Sequence, residues 1–383
     1  MQLQERFQNL PQAIFQIFDI LRGYEIYLIG GCVRDLLLGN TPKDYDFTTS
    51  AIPQEMLQVF ASYGIKTLDI GIRFGTIGVV LEKQVFEITT FRKEGGYKDF
   101  RRPNFILFSK TLKEDVLRRD FSINALAWHP DFGIIDHVGG RFDLKNKILR
   151  TIGVPDERFG EDSLRILRGV GFCARFGLKV EEKTKESMLK NAPLLHHISK
   201  ERIQNEWEKI LKAREPIFAL KEFVQIFEIY FGEEMDFDVK LPQNSLHRAA
   251  ILLKDGKKLE KLSYSKKDKS QILQFMQWQK KELFTDKIAI KKMLANYQIE
   301  WIKVFLESDS QKSYYFNEIF KNNEVFSLEQ LEVDGKDVLV FPNHKRKEIL
   351  QKILFLVIEG RLKNVRKDLL CYLQENKEEL QEN

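Results

Sequence analysis

"YLIGGCVRDLLLGNTPKDYDF", residues 27–47, is the stretch on which the fold turns. An apolar run ends at Gly30 and Gly31, and a short helical segment carrying Arg34 closes at Gly39. A second β-rich run, YDFTTS, then begins with Asp44 and Asp46 on either side of Tyr45. Strand, glycine turn, helix and strand in that order open an α/β domain. Glycines placed after a strand and before a helix let backbone N–H groups approach phosphate, and Arg34 adds a charge one turn in. On a strand, residues i and i+2 project to one face, so Asp44 and Asp46 would present two hard oxygen ligands together while Tyr45 points away. Such a pair suits Mg²⁺, which takes one or two carboxylates along with phosphate oxygens. The spacing carries little alone, because 56 acids in 383 residues produce about eight acid-x-acid spacings by composition. The glycines and Arg34 beside the pair supply the weight.

Working outward, PQEMLQVFASYG reads as a helix ending at Gly64, and TIGVVLE and QVFEITTF as β-rich runs joined by a tight connection. The implied sheet is mixed. Beyond about residue 150 the β signal fades and charged segments of helical spacing take over. The polar segment RKEGGYKDFRRPN, 92–104, with two glycines and a proline, reads as a mobile loop. The stretches 254–270 and 331–348 read as exposed connections between helices. No repeat of fixed period occurs.

Composition narrows the class. At 383 residues, 43% hydrophobic and 31% charged, the chain is globular and long enough for several modules, with 30 phenylalanines to build the core. A net charge of +5 permits an anionic partner without requiring one. Cys32, Cys173 and Cys371 lie far apart, and the six histidines show no ligand spacing, so neither zinc nor a disulfide framework is expected. No export signal is visible, and no apolar run approaches the roughly 18 residues a bilayer span requires. A cytoplasmic protein without a membrane partner is the expectation.

GGCVRDLLLG followed by KDYDF resembles the signature of the class II tRNA nucleotidyltransferase and bacterial poly(A) polymerase family. That resemblance implies an α/β catalytic head of polymerase β nucleotidyltransferase type with a mixed sheet, followed by all-α neck, body and tail. The corresponding segments are 1–150, 151–215, 216–330 and 331–383. EDVLRRDFSINALAW, 114–128, is similar to the family's second block, with Ser122 where threonine is commoner. It implies a helix opening beside the site, Arg118 and Arg119 on triphosphate or primer, and Asp120 orienting them. In IIDHVGGRFDLKNKILRTIG, 134–153, which resembles the third block, Gly139, Gly140 and Asp143 are expected to serve a turn and hinge.

RFGEDSLRILRGVGFCARFG, 158–177, is the most informative block. Glu161, Asp162 and Arg165 fit the EDxxR element with which the family reads the incoming base, a carboxylate accepting an amino proton and arginine donating to ring acceptors. Placed on one helix, Asp162 and Arg165 share a face and Arg168 extends it by a turn. Where the family commonly has LRAVRF this chain has LRGVGF, so Gly169 and Gly171 soften the helix by about 1 kcal/mol each and one phosphate-facing arginine is missing. Compensation by a Lys or Arg elsewhere is implied. ISKERIQNEWEKIL, 198–211, resembles the fifth block, with Ser199 as N-cap and Glu201, Arg202 and Glu206 as bracing charges. Residues 334–370 resemble the tail that grips the outer part of tRNA.

The resemblance implies template-independent addition of C, C and A to the tRNA 3′ end from CTP and ATP. Asp44 and Asp46 would be the catalytic, Mg²⁺-binding residues. Gly30, Gly31, Arg34, Arg118, Arg119, Asp162, Arg165 and Arg168 would bind nucleotide, and Glu87 is a candidate third carboxylate. tRNA, not DNA, is the expected polymer. The IRFGTIGVVL stretch and the 91–103 segment favour the full CCA product over A-only addition or poly(A) synthesis. With no His-Asp dipeptide, phosphohydrolase activity is not expected. A non-catalytic RNA-binding protein is the alternative from another class.

Overall fold

The computed structural model describes residues 3–97, 103–281 and 284–382, and the chain divides into two compact units, Met1–Phe237 and Asp238–Asn383. The first unit begins with α1 (Leu3–Gln8), α2 (Gln12–Ile20), β1 (Ile26–Ile29), α3 (Gly31–Leu38), β2 (Asp46–Thr49) and α4 (Pro53–Ser62). β3 (Thr67–Gly71), β4 (Thr76–Leu81) and β5 (Gln84–Thr90) follow, then β6 (Arg92–Tyr97), β7 (Pro103–Phe108) and α5 (Leu112–Leu117). β8 (Ala127–His129), β9 (Gly133–Ile135), α6 (Gly140–Lys145) and β10 (Ile148–Leu149) complete the α/β part. The rest is α7 (Pro155–Glu161), α8 (Leu164–Phe176), β11 (Lys179–Val180), α9 (Glu182–Asn191), α10 (Lys200–Leu211), α11 (Ile217–Glu222) and α12 (Val224–Phe231).

Seven strands form one sheet in the order β3-β4-β5-β2-β1-β8-β9. Only the β2–β5 pair is parallel, so the sheet is mixed, as the alternation of the sequence implies. β2 shows how period-2 alternation places the site. Phe47 turns to one face and meets Phe18 of α2 and Phe86 of β5. Asp46 and Thr48 take the other face, beside Glu87 and Thr89 of β5 in register. On the aromatic side Phe7 of α1 and Phe18 pack on Trp128. On the opposite side Ile29, Phe91, Leu112, Val116 and Ala127 form a second buried cluster under α5. Phenylalanine does dominate the interior, with Phe47, Phe60, Phe86, Phe91, Phe121 and Phe159 fully buried.

Two sequence expectations are revised. Residues 92–104 are not simply a loop: β6 and β7 pair as an antiparallel hairpin, Arg92 opposite Phe108, and the tip lies outside the described residues. Glycine content suggested a loop, but backbone pairing with the apolar run FILF, 105–108, stabilises a two-stranded ribbon. RRDFSIN opens no α-helix either. Phe121 is extended and bridges Thr151, and only a single 3₁₀ turn, Ser122–Asn124, follows. Asp, Ser and Asn side chains there bond backbone and one another in place of a helical ladder. Gly140 is needed because a Cβ would lie 2.2 Å from the Ser122 carbonyl oxygen, while Asp143 is buried and accepts the Ser122 hydroxyl at 2.6 Å. Ser199 sits at the N-cap of α10, although its hydroxyl makes no capping bond.

The second unit is helical. Its longer helices are Lys266–Lys281, Ser310–Lys321, Arg346–Ile358 and Arg366–Glu375, and no strand occurs among its described residues. The 254–270 stretch is less open than its lysines suggest, holding the short helix Gly256–Glu260 and the first residues of Lys266–Lys281. One core stacks His247, Phe275, Trp278, Phe284 and Phe305. The other gathers Val333, Val338, Phe341, Ile353 and Leu369. Among the described residues no helix is long and apolar enough to cross a membrane.

Candidate active-site cleft

The cleft starts at the turn between β1 and α3. Gly30 has φ 82° and ψ −127°, and a Cβ there would meet Arg119 Nη1 at 3.2 Å. Gly31 opens α3, and Gly39 closes it in the left-handed conformation. Asp46 is the first residue of β2, while Asp44 precedes the strand, so the pair is not carried by one strand as expected. Both nevertheless line a single cleft of about 650 Å³ together with Gly31, Arg34, Lys43, Arg175, Lys209 and Lys212.

Asp46 is open to solvent at the cleft, yet protein walls take enough water from it to push its carboxyl up to about 6. The like charges of Glu87 and Asp44 add to that rise, and Arg119 opposes it. Glu87 lies directly across the parallel β2–β5 ladder from Asp46. A concentration of negative charge that raises its own pKa is what a bound cation relieves. Oxygen donors of this kind fit Mg²⁺, which fills its remaining positions with water and phosphate oxygens. Among the described residues, no three His, Cys, Asp or Glu side chains converge as a self-sufficient metal cage. Cys32, on the same cleft, is buried and its thiol is pushed up to about 12 by desolvation, so it is not a nucleophile.

The arginines are placed differently from expectation. Arg34 is only 5% exposed. It bonds Asp35 at 2.7 Å and Asn124 Oδ1 at 2.5 Å, and its guanidinium sits 4.7 Å from the Phe176 ring centroid. It therefore ties α3 to α8 instead of standing as a free charge. Asn124 passes the connection on, donating to Asp120 at 3.1 Å, and Asp120 accepts Arg168 Nη2 at 2.6 Å. Asp120 thus orients Arg168, not Arg118 and Arg119. Burial raises its pKa, but Arg168 and Asn124 outweigh that and hold it at about 2. Arg118 pairs with Asp115 at 2.7 Å and with Glu94 of the hairpin at 2.9 Å. Arg119 pairs with Asp115 at 3.1 Å on one side and abuts Gly30 on the other. Asp115, fully buried, was missed in the sequence, where its signal is an acid three and four residues ahead of two arginines.

The base-reading element is also rearranged. Asp162 lies between α7 and α8 with φ −144°, so it does not share a helix face with Arg165. Its carboxylate accepts Arg202 Nη2 of α10 at 3.0 Å. Arg165 instead pairs with Glu161 at 2.8 Å and donates to the carbonyls of Arg158 and Arg118. Arg202, assigned to bracing, is therefore the residue that orients Asp162, and its Nη1 is buried with no hydrogen-bond partner among the described residues. Gly169 and Gly171 are both buried in α8. A Cβ at 169 would crowd Phe121 at 3.1 Å and Met188 at 3.2 Å, whereas one at 171 would meet only Ile210 of α10 at 3.7 Å. Arg175, one turn beyond Gly171, lines the cleft with Lys209 and Lys212, none of which motif reading singled out.

Residues 26–150 match the model of the poly A polymerase head domain, and residues 177–226 that of the probable RNA and SrmB-binding site of polymerase A. The CCA-adding enzyme of Lactiplantibacillus plantarum is 46% identical over 198 residues, 52% of this chain and 48% of that protein. The CCA-adding enzyme of Geobacillus kaustophilus is 46% identical over 201 residues, 52% of this chain and 49% of the relative. The match thus spans about half the length of these curated relatives. Among solved structures, the Bacillus stearothermophilus CCA-adding enzyme in complex with CTP is similar with a TM-score of 0.77 and 26% identity, over 96% of this chain and 98% of that one. The Thermotoga maritima CCA-adding enzyme complexed with tRNA shares the fold, with a TM-score of 0.72 and 21% identity over 98% of each chain. The glycine turn, the aspartate pair and the EDxxR block all lie on one unit, whose residues 26–150 and 177–226 are similar to the poly A polymerase head domain and to the probable RNA-binding site of polymerase A.

Proposed function

We propose that this chain adds C, C and A to the 3′ end of tRNA from CTP and ATP without a nucleic-acid template, releasing pyrophosphate. The observation that carries this reading is the Asp44–Asp46 pair on one cleft with the α3 glycine turn and the neck helices α8 and α10. The names of the relatives described above, CCA-adding enzymes, support the product.

In this reading the Gly31 N–H at the start of α3 receives the triphosphate, the Gly30 N–H being bonded to the Leu126 carbonyl at 2.9 Å, and Arg119, beside Gly30, adds positive charge there. Arg34 and Arg118 act through the ion pairs they make, fixing α3 and the hairpin root respectively. Asp162, held by Arg202, accepts the exocyclic amino group of cytosine or adenine. Arg165 and Arg168 donate to the base or ribose from the adjacent face of α8. Asp44 and Asp46, with Glu87 beside them, hold Mg²⁺, whose chemistry when bound is activation of the RNA 3′-hydroxyl and neutralisation of triphosphate charge. The head (1–150) and neck (151–215) supply these groups, and the body (216–330) and tail (331–383) would grip tRNA. The protein would work in the cytoplasm, on RNA and not DNA.

Three tRNA ends, lacking CCA, ending in C and ending in CC, incubated with Mg²⁺ and CTP, ATP or both, test the proposal by product mass. Every end should stop at CCA. Addition to the CC end alone would mark an A-adding enzyme, unlimited A a poly(A) polymerase, and no addition a binding protein. Asp44→Ala should lower transfer at least about 100-fold while tRNA binding stays within twofold, and normal turnover in that variant would remove the metal assignment.

A further inference from the structure

We propose that Asp115 is a positioning residue for nucleotidyl transfer: its buried carboxylate holds the Arg119 guanidinium beside the glycine turn and thereby keeps it off Asp46, which stays available to a divalent cation. The proposal deepens the nucleotidyl-transfer reading and rests on its assignment of the metal to Asp44 and Asp46.

Asp115 lies on α5 with its side chain fully buried, and it is not among the residues that line the cleft. Its Oδ1 accepts Arg118 Nη2 at 2.7 Å and Nε at 2.9 Å, and the backbone N–H of Arg92, where the hairpin begins, at 3.3 Å. Its Oδ2 accepts Arg119 Nη2 at 3.1 Å and the Thr48 hydroxyl at 3.3 Å. Thr48 stands two residues along β2 from Asp46, on the same face of the sheet. One carboxylate therefore joins the strand that carries Asp46, the root of the hairpin and the arginine that abuts Gly30.

An acid three and four residues ahead of two arginines is ordinarily an exposed pairing of small effect. This one is out of water, where apolar side chains of similar size commonly stabilise a fold as well as an ion pair does. What the carboxylate supplies is placement, and the two arginines depend on it unequally. Arg118 has a second carboxylate, Glu94, at 2.9 Å. Arg119 has none: among the described residues its bond to Asp115 is the one hydrogen bond its guanidinium makes, and its Nε is buried without a partner. The next carboxylate for it is the metal site itself, since Arg119 already acts on Asp46 through its charge, against Glu87 and Asp44. A guanidinium released there would pair with those oxygens and compete with the cation for them. The charges that act on Asp46 do not include that of Asp115, so the influence of Asp115 on the metal site runs through Arg119.

The test uses the full chain without nucleotide or RNA and Mn²⁺ as the probe, with the free ion counted by electron paramagnetic resonance. Asp115→Asn should raise the Mn²⁺ dissociation constant about tenfold or more, the scale on which groups outside a metal's own ligands act. In the double variant with Arg119→Gln the competitor is gone, so the constant should return to within about threefold of Arg119→Gln alone, a non-additivity that a merely structural role would not produce. An unchanged constant in Asp115→Asn, or a loss that persists in the double variant, overturns the proposal. If circular dichroism shows Asp115→Asn unfolded, Arg119→Gln decides, because Arg118 still neutralises Asp115 in it. Its Mn²⁺ binding should tighten by no more than about threefold, whereas tightening of about tenfold would show that Asp115 does not hold this cation off the aspartates. Failure of the broader reading looks different: Mn²⁺ that the unmodified chain does not bind, or binds equally after Asp44→Ala, would remove the metal assignment and this inference with it.

Discussion

Gly169 and Gly171 occupy the same helix, and replacing each by alanine separates backbone propensity from packing. Alanine is favoured over glycine in a helix interior by about 1 kcal/mol at either position. At 171 the new methyl would sit 3.7 Å from Ile210 Cγ1, an ordinary contact, and its burial adds up to about 0.8 kcal/mol. Gly171→Ala should therefore stabilise the first unit by about 1–1.5 kcal/mol. At 169 the methyl would stand 3.1 Å from Phe121 Cζ, 3.2 Å from Met188 Cε and 3.4 Å from Leu149 Cδ2. Met188 can bend away, but Phe121 is fully buried against Phe172 and cannot. Overpacking of this kind costs about 1–3 kcal/mol, so Gly169→Ala should be neutral or destabilising by up to about 2 kcal/mol. For a unit of this size each kcal/mol moves the melting temperature by about 2–4 °C, a separation that calorimetry resolves. Equal stabilisation by both substitutions would refute the claim that close packing on the Phe121 turn, and not chance, keeps glycine at 169.

Two further outcomes follow from the site. Because the folded-state pKa of Asp120 lies below its unfolded value, the stability it contributes is present above about pH 4 and is lost as pH falls toward 2. That contribution is about 2 kcal/mol, so urea midpoints of the unmodified chain and Asp120→Asn should differ at pH 5 and the gap should shrink to about a third by pH 2.5, and a gap independent of pH would rule out the ion pair with Arg168 as its source. Arg202→Gln should leave tRNA KM unchanged but reduce discrimination for CTP and ATP over UTP and GTP by about tenfold, on the scale of one lost charged hydrogen bond. Measured selectivity that is unaffected would return Arg202 to a purely bracing role.

Local patterns made much of the fold legible. β1, α3 and β2 were readable because hydrophobic period, the glycine at Gly39 and the turn glycines are properties of short segments. The pair β4–β5 was equally readable, its tight connection being Glu82 and Lys83 with positive φ. The strands β8 and β9 escaped notice because three residues are too few to show a period. The RRDFSIN turn was misread as helical because side-chain bonds among Asp120, Ser122, Asn124 and Asp143 decide it, and two of their partners are remote in sequence.

The same division holds in the cleft. Motif order alone brought forward Asp44, Asp46, the α3 glycines and the neck block, since each needs specific residue types at short spacing. Some pairs are local, Arg118 and Arg119 with Asp115 and Arg165 with Glu161, but the long-range ones were decided by tertiary structure. Asp162 faces Arg202 forty residues away, Asp120 faces Arg168, and Arg34 reaches Asn124 and the Phe176 ring. A charged side chain in a partly buried cleft is placed by the strongest available partner, because leaving it unpaired there costs more than any local helical preference contributes. For Asp162 and Asp120, packing of α8 and α10 against the head supplies a better partner than the one that spacing proposes.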